Sequence, residues 1–134
     1  MRCWNGGALL SRLAEISALI AGSIVLSGCG SAAERAAAAI TGGNPQHGAA
    51  AITRYGCGSC HTIPGISGAH GLVGPSLAGV SNRMYIGGVL QNTPENLIRW
   101  VQNPKAVDEK TAMPMLHVTA LDATDISAYL YSIK

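Results

Sequence analysis

The sequence contains no phenylalanine, and aromatic residues make up only 4% of its 134 residues. Charged residues are also scarce, at 12%, and the Lys and Arg residues are scattered without a basic run. A nucleic-acid partner is therefore not expected, because phosphate binding needs clustered positive charge. No acidic cluster indicates a calcium site, and no glycine-rich stretch has the spacing of a phosphate-binding loop.

What the sequence does contain is largely apolar: hydrophobic residues account for 48% of a chain whose length suits one small domain. A small domain buries a modest share of its surface and often needs a disulfide, a metal or a cofactor to be stable. Because this chain has few large side chains for a core, a large apolar prosthetic group would complete it.

The N-terminus has the order of an export signal, with Arg2 and Arg12, an apolar run from Ile16 to Leu26, and small residues before Cys29. The apolar run is too short to cross a bilayer core, which takes about 20 residues. The stretch "LSGC" resembles a bacterial lipobox, whose cysteine is lipidated and becomes the first residue of the mature protein. We therefore predict a lipoprotein-type signal peptide over residues 1–28 and lipidation of Cys29. The alternative is a plain cleaved signal that leaves an ordinary thiol at that position.

The segment that follows, residues 29–43, is rich in Ala and Gly and has little to bury. It predicts a flexible tether that would reach roughly 20 Å on average as a coil, and somewhat more if its Ala run is helical. The folded domain is predicted to span residues 44–134.

Three helices are predicted within that domain. The first begins after Asn44 and ends before Gly56, the second begins after Thr93 and ends before Pro104, and the last begins after Thr119. No segment alternates in the pattern of a strand for long, so the predicted fold class is all-α. The loops over residues 62–92 and 104–118 are unusually long for a compact domain unless they wrap around something.

At positions 57–61 the chain reads CGSCH. A structural zinc site would need four ligands, a thioredoxin-like pair would follow a strand in a βαβ unit, and a disulfide across two residues is strained and leaves His61 without a role. The remaining interpretation is covalent attachment of a c-type haem, for which C-x-x-C-H is a signature. Export agrees with it, since this haem is attached outside the bacterial cytoplasm. Gly58 and Ser59 are expected to be small because they lie near the macrocycle edge.

An iron held by one histidine needs a second ligand, and the identity of that ligand decides whether the protein is an electron carrier or a catalyst. Met113 stands in the loop sequence "TAMPML", directly before Pro114. Met84 and Met115 are interpreted as packing residues, the usual role of methionine.

Five stretches together resemble a class I cytochrome c: CGSCH at 57–61, "GPSLAGVSNR" at 74–83, "WVQNPK" at 100–105, "TAMP" at 111–114 and the closing "AYLYSIK". The resemblance covers the chain from about Asn44 to its end. It implies the cytochrome c fold, with three main helices and long loops wrapped around one covalently bound haem. It also implies that the first and last helices cross closely at Gly48 and Tyr129.

The resemblance implies roles for the motif residues. Cys57 and Cys60 would form the thioethers, His61 would be the proximal iron ligand and Met113 the distal one.

Five further residues match positions around the haem in that family. Pro75 would accept the Nδ1 hydrogen bond of the ligand histidine, Leu77 would pack on the haem edge, and Arg83 would approach a propionate. Trp100 would stand beside the methionine, and Thr111 matches a threonine shortly before it.

The resemblance implies one-electron transfer, with no catalytic residue and no small-molecule substrate. We expect a carrier tethered through Cys29 to the periplasmic or outer face of a bacterial membrane, with a quinol-oxidising complex or a dehydrogenase as donor and a terminal oxidase or other high-potential protein as acceptor. Few lysines lie near the methionine, essentially Lys105 and Lys110, so strong electrostatic steering is not expected. His70 has no assigned role. The alternatives are a fixed electron-entry subunit of an oxidase or dehydrogenase complex, and a haem sensor or enzyme with a labile distal ligand.

Overall fold

The computed structural model of the protein describes residues 30–134. Within these residues, five α-helices follow one another: α1 (Ala32–Thr41), α2 (Pro45–Arg54), α3 (Pro94–Gln102), α4 (Pro104–Val107) and α5 (Ala120–Ser132). Short 3-10 turns cover Cys57–Ser59 and Val80–Asn82, and strands β1 (Tyr85–Ile86) and β2 (Leu90–Gln91) form a small antiparallel pair. The predicted all-α class is confirmed in that the structure is mostly helical with one small two-stranded sheet, and α2, α3 and α5 are the three helices that the sequence predicted.

The helix ends follow from their capping residues. The Asn44 side chain accepts hydrogen bonds from the first backbone N–H groups of α2, and the Thr93 side chain accepts one from Asn96 in α3. Thr119 does the same for α5 through the N–H of Asp122. Each cap satisfies a backbone donor that the helix itself leaves without a partner.

Helix α5 is the centre of the domain, because α1, α2 and α3 all pack against it. Its residues from Asp125 to Leu130 are buried without interruption. The crossing with α2 is close: a Cβ added to Gly48 would lie 2.1 Å from the Asp125 carbonyl oxygen and 2.9 Å from the Tyr129 Cβ. Only glycine fits at such a distance, which is the close crossing that the resemblance implied.

The segment predicted to be a flexible tether differs in the structure. Residues Ala32–Thr41 form helix α1, which begins with a complete capping box between Ser31 and Glu34 and packs on α5 with Ala37 buried. The small alanine side chains that seemed unable to form a core instead allow two helices to approach closely. The Ala run is therefore helical, as the prediction allowed, but it packs on the domain instead of extending from it as a free tether.

Two smaller elements were not predicted. Pro104 ends α3 and also begins the four-residue helix α4, which Asn103 caps. The β1–β2 hairpin turns through Gly87 and Gly88, both with positive φ, and a Cβ on Gly87 would lie 2.5 Å from the indole of Trp100. The hairpin therefore has glycine both for its turn and for contact with α3.

The predicted signal peptide and lipidated Cys29 lie outside the described residues. Among residues 30–134, no helix has the length and apolar character needed to span a membrane.

Candidate functional site: a haem-attachment cavity

The CGSCH segment follows α2 through Gly56, whose φ of 70° lies in the left-handed region that glycine adopts without strain. The chain then forms a 3-10 turn, and the N–H of Cys60 and of His61 both donate to the Cys57 carbonyl. Cys57 and Cys60 are free, partly buried thiols. Burial raises the pKa of the Cys57 thiol, so this group is neutral at physiological pH.

The loop after His61 folds back over the attachment segment. The N–H of Gly71 donates to the Gly58 carbonyl over 3.1 Å, and the N–H of Gly74 donates to the Cys60 carbonyl over 2.8 Å. A Cβ on Gly58 would lie 2.7 Å from the Ala69 Cβ, and one on Gly71 would lie 2.4 Å from the Ser59 carbonyl oxygen. The structure therefore gives a reason for Gly58 that the sequence did not: it makes room for the loop.

His61 is held by one hydrogen bond and one close contact. Its Nδ1 lies 2.7 Å from the Pro75 carbonyl oxygen, as the resemblance implied. Because a carbonyl can only accept, Nδ1 carries the proton and Nε2 keeps a lone pair for a metal. The ring packs against Gly74, where a Cβ would lie 2.4 Å from Cε1 and 2.6 Å from Nδ1. Sequence reasoning missed Gly74, although it directly precedes Pro75 in the matched motif.

A second wall of the site is formed by the loop after α4, which carries Thr111 and Met113. The Met113 N–H donates to the Thr111 hydroxyl over 3.2 Å, and the Thr111 N–H donates to the Asp108 carbonyl over 3.1 Å. The Lys105 ammonium group donates to the carbonyls of Glu109 and Thr111. Lys105 was predicted as one of two cations near the methionine, and the structure shows that it also braces this loop.

A cavity of about 490 Å³ lies between these walls, within the size range of cofactor sites. All nine residues predicted to bind the cofactor line it: Cys57, Cys60, His61, Pro75, Leu77, Arg83, Trp100, Thr111 and Met113. Apolar side chains from the core line it as well, among them Ile52, Leu97, Ile126 and Leu130. The sequence did not predict the contribution of the hairpin, which supplies Tyr85 and Ile86.

Arg83 lies at the rim of the cavity, and its guanidinium group donates to the carbonyls of Ser76 and Ala78. Two of its five N–H donors are thus committed to the protein backbone. The predicted propionate contact involves a group outside the structure and stays a prediction. His70 is exposed and joins the site only through a backbone bridge to Thr62.

A comparison with known protein families matches residues 45–134 to "Cytochrome c". The chain belongs to the cytochrome c family. Over 79 residues it is 32% identical to "Cytochrome c oxidase subunit 2" of Alkalihalophilus pseudofirmus, covering 58% of this chain and 22% of that protein. Over 88 residues it is 31% identical to "Cytochrome c oxidase subunit 2" of Bacillus sp. strain PS3, covering 63% and 25%. The chain thus spans about a quarter of the length of these relatives. No solved structure matches it significantly.

As a cytochrome c, the protein carries covalently bound haem c and transfers electrons. The cavity residues fit this group. Two thiols and a histidine with a free Nε2 line one wall, and the Met113 thioether lines the same cavity. The haem supplies a redox-active iron, while the protein binds it, orients the histidine and excludes water.

Proposed function

We propose that this cytochrome c is a one-electron carrier of the bacterial cell envelope whose iron is ligated by His61 and Met113. The main support is that the His61 Nδ1 is bound to the Pro75 carbonyl, 2.7 Å away, while Met113 lines the cavity that His61 also lines. An imidazole and a thioether as the two ligands favour electron transfer over chemistry at an open iron.

The cavity lining also supports a carrier rather than a catalyst. Apart from His61, the ionisable side chains that line it are Cys57, Cys60, Arg83 and Tyr85, so within the described part of the chain no carboxylate faces the cavity. A thioether ligand raises the reduction potential because it favours the reduced iron. We therefore propose a high-potential acceptor, such as a terminal oxidase, and a quinol-oxidising complex or a dehydrogenase as donor.

Met113→Ala tests the ligand assignment. The oxidised wild-type protein should show the weak charge-transfer band near the red end of the spectrum that sulfur ligation gives, and the variant should lack it. Its midpoint potential should also fall, and each 59 mV of that fall changes the one-electron equilibrium constant tenfold. Met84→Leu and Met115→Leu are the controls, since neither residue lines the cavity. Both side chains are exposed, so the prediction that they are packing residues is wrong.

A band that survives Met113→Ala and disappears with Met115→Leu would overturn the ligand assignment. A wild-type protein that lacks the band and binds carbon monoxide readily would favour a sensor or an enzyme.

We also propose that Cys29 is lipidated and holds the domain at the periplasmic or outer face of a membrane; the support is the sequence "LSGC" after an apolar run. The variant Cys29→Ser should release the protein into the soluble fraction or leave it as an unprocessed precursor. Its haem spectrum should not change after export. If the variant is processed normally and is still found in the membrane fraction, the proposal of a lipid anchor is wrong.

A second candidate is supported by the similarity to oxidase subunit 2 in two organisms. In this alternative, the protein is a fixed electron-entry subunit of an oxidase or dehydrogenase complex. Purification of the anchored protein in mild detergent separates the two, because a free carrier elutes alone and a subunit elutes with its complex.

A further inference from the structure

A chain of hydrogen bonds joins the last helix to the loop that holds His61. It begins at Tyr131 in α5, whose hydroxyl donates to the Asn92 side-chain oxygen over 2.8 Å. The Asn92 amide nitrogen then donates to two carbonyls, that of Val80 over 2.7 Å and that of Arg83 over 2.8 Å. Because Tyr131 satisfies the oxygen and the two carbonyls satisfy the nitrogen, the orientation of this amide is fixed.

The chain continues through Arg83. Its backbone is held by Asn92, and its guanidinium group donates to the Ser76 carbonyl and, over 3.2 Å, to the Ala78 carbonyl. These two carbonyls lie one and three positions after Pro75. A rigid, planar guanidinium group that bonds two carbonyls of one turn restricts the conformation of that turn.

The Pro75 loop is held from its other side as well. The Leu77 N–H donates over 2.9 Å to the carbonyl of Thr62, the residue that directly follows His61 in the chain. The Pro75 carbonyl therefore belongs to a loop with two supports, the attachment segment on one side and Arg83 on the other. Both supports therefore hold the loop that presents the Pro75 carbonyl to the His61 Nδ1.

We propose that Asn92, Tyr131 and Arg83 are positioning residues that set the strength of the hydrogen bond between His61 and Pro75, and through it the reduction potential of the haem. The proposal rests on the ligation of iron by His61 proposed above. A ligand histidine that donates a strong hydrogen bond is a stronger electron donor to its metal. Loosening the Pro75 loop therefore weakens His61 as a donor and favours the reduced iron. This role of Arg83 differs from a contact with a propionate, because it acts through the backbone.

The test uses Asn92→Leu in the full haem-containing protein. Asn92 does not line the cavity, and the substitution changes no charge. We expect the Nδ1 proton of His61, followed by NMR in ¹⁵N-labelled protein, to exchange faster with solvent. We also expect the one-electron equilibrium to shift toward the reduced form by about threefold or more, where tenfold corresponds to 59 mV.

Tyr131→Phe removes one bond of the chain and should give a smaller change in the same direction, so the proposal remains testable if Asn92→Leu does not fold. Asn96→Leu is the matched control: the Asn96 amide also donates to a backbone carbonyl, that of Gln91, over 2.9 Å, but does not bond to the 80–83 turn. It should change neither the proton exchange nor the potential.

Arg83→Lys and Arg83→Gln separate position from charge. If Arg83 acts as we propose, the lysine variant, which keeps the charge but loses the planar group, should also show faster Nδ1 exchange. The proposal is overturned if Asn92→Leu and Tyr131→Phe leave both measurements unchanged while Arg83→Gln alone shifts the potential. Iron ligation is tested separately by the sulfur charge-transfer band of the wild-type protein, so its failure would be recognised independently.

Discussion

The two walls of the haem cavity are held in different ways. On the His61 wall, three loop N–H groups, those of Gly71, Gly74 and Leu77, donate to backbone carbonyls within residues 58–62. Three glycines lie there at distances that exclude any Cβ. On the Met113 wall, a threonine hydroxyl and a lysine ammonium provide most of the hydrogen bonds. One wall is fixed by backbone packing, and the other by side chains.

The difference continues after Met113. From Pro114 to Val118, no backbone hydrogen bond is formed with another of the described residues. His117 lies in this stretch with a φ of 54°, a conformation that costs a non-glycine residue energy. Apart from the packing of Val118 and Leu116 on the core, little holds this stretch, so we expect the methionine to be lost before the whole domain unfolds. The histidine wall, with its three backbone hydrogen bonds, should resist local opening more strongly.

The largest effect is expected for Gly74→Ala. The new methyl group would overlap the His61 ring, and the backbone hydrogen bond from Gly74 to Cys60 prevents the loop from moving away. We expect a cost of about 2 kcal/mol or more in the free energy of unfolding. We also expect a lower haem c content per polypeptide in the purified protein.

Gly68→Ala is the control for this change. Gly68 has a φ of 75°, so alanine is strained there by about 1–2 kcal/mol, but no atom lies within 4 Å of the new Cβ. Its haem content should remain normal. If both variants lose haem equally, a general loss of stability would explain the result, and the His61 wall would not depend on the contact with Gly74.

An intermediate effect is expected for Lys105→Ala on the Met113 wall. The change removes two hydrogen bonds to the carbonyls of Glu109 and Thr111, each worth about 1 kcal/mol. The sulfur charge-transfer band should disappear at a lower denaturant concentration, while global unfolding by circular dichroism shifts less. Lys110→Ala is the control, because it removes the same charge but the Lys110 ammonium group makes no hydrogen bond to this loop. It should leave the band unchanged. An equal effect of the two variants would mean that charge, and not bracing, stabilises the ligand.

Local patterns predicted the helices, and the resemblance to class I cytochrome c implied the residues that line the cavity. Caps such as Asn44 and Thr93 depend on neighbours in the chain, and the five family motifs stand in the expected order. The close approaches at Gly58 and Gly71 could not be predicted, because each depends on a residue from another part of the loop. A glycine in a loop is ordinarily interpreted as a turn residue, and its sequence context does not show what lies against it.

Helix α1 shows the same limit. Its capping pair, Ser31 and Glu34, is visible in the sequence, but an Ala-rich helix of this length is marginal by itself. Its stability comes from packing on α5, where Ala37 is buried. Composition alone therefore indicated a tether, whereas a long-range contact decides the structure.

The smallest effect, and the sharpest comparison, is expected from the same isosteric substitution on both walls. Thr111→Val removes the acceptor of the Met113 N–H, while Thr62→Val removes a donor to the Gly71 carbonyl, 3.0 Å away. On the His61 wall, the Gly71 segment keeps its backbone bond to Gly58, so the ligand should not respond. On the Met113 wall, the Met113 N–H has no other hydrogen bond within the described chain. Losing the bond to Thr111, worth about 1 kcal/mol, should therefore directly weaken the positioning of the methionine ligand. Thermal loss of the sulfur band should therefore begin at a lower temperature in Thr111→Val than in Thr62→Val, although both proteins unfold at similar temperatures. Equal band stability in the two variants would show that the Met113 wall is as firmly held as the other, and the contrast between the walls would have to be abandoned.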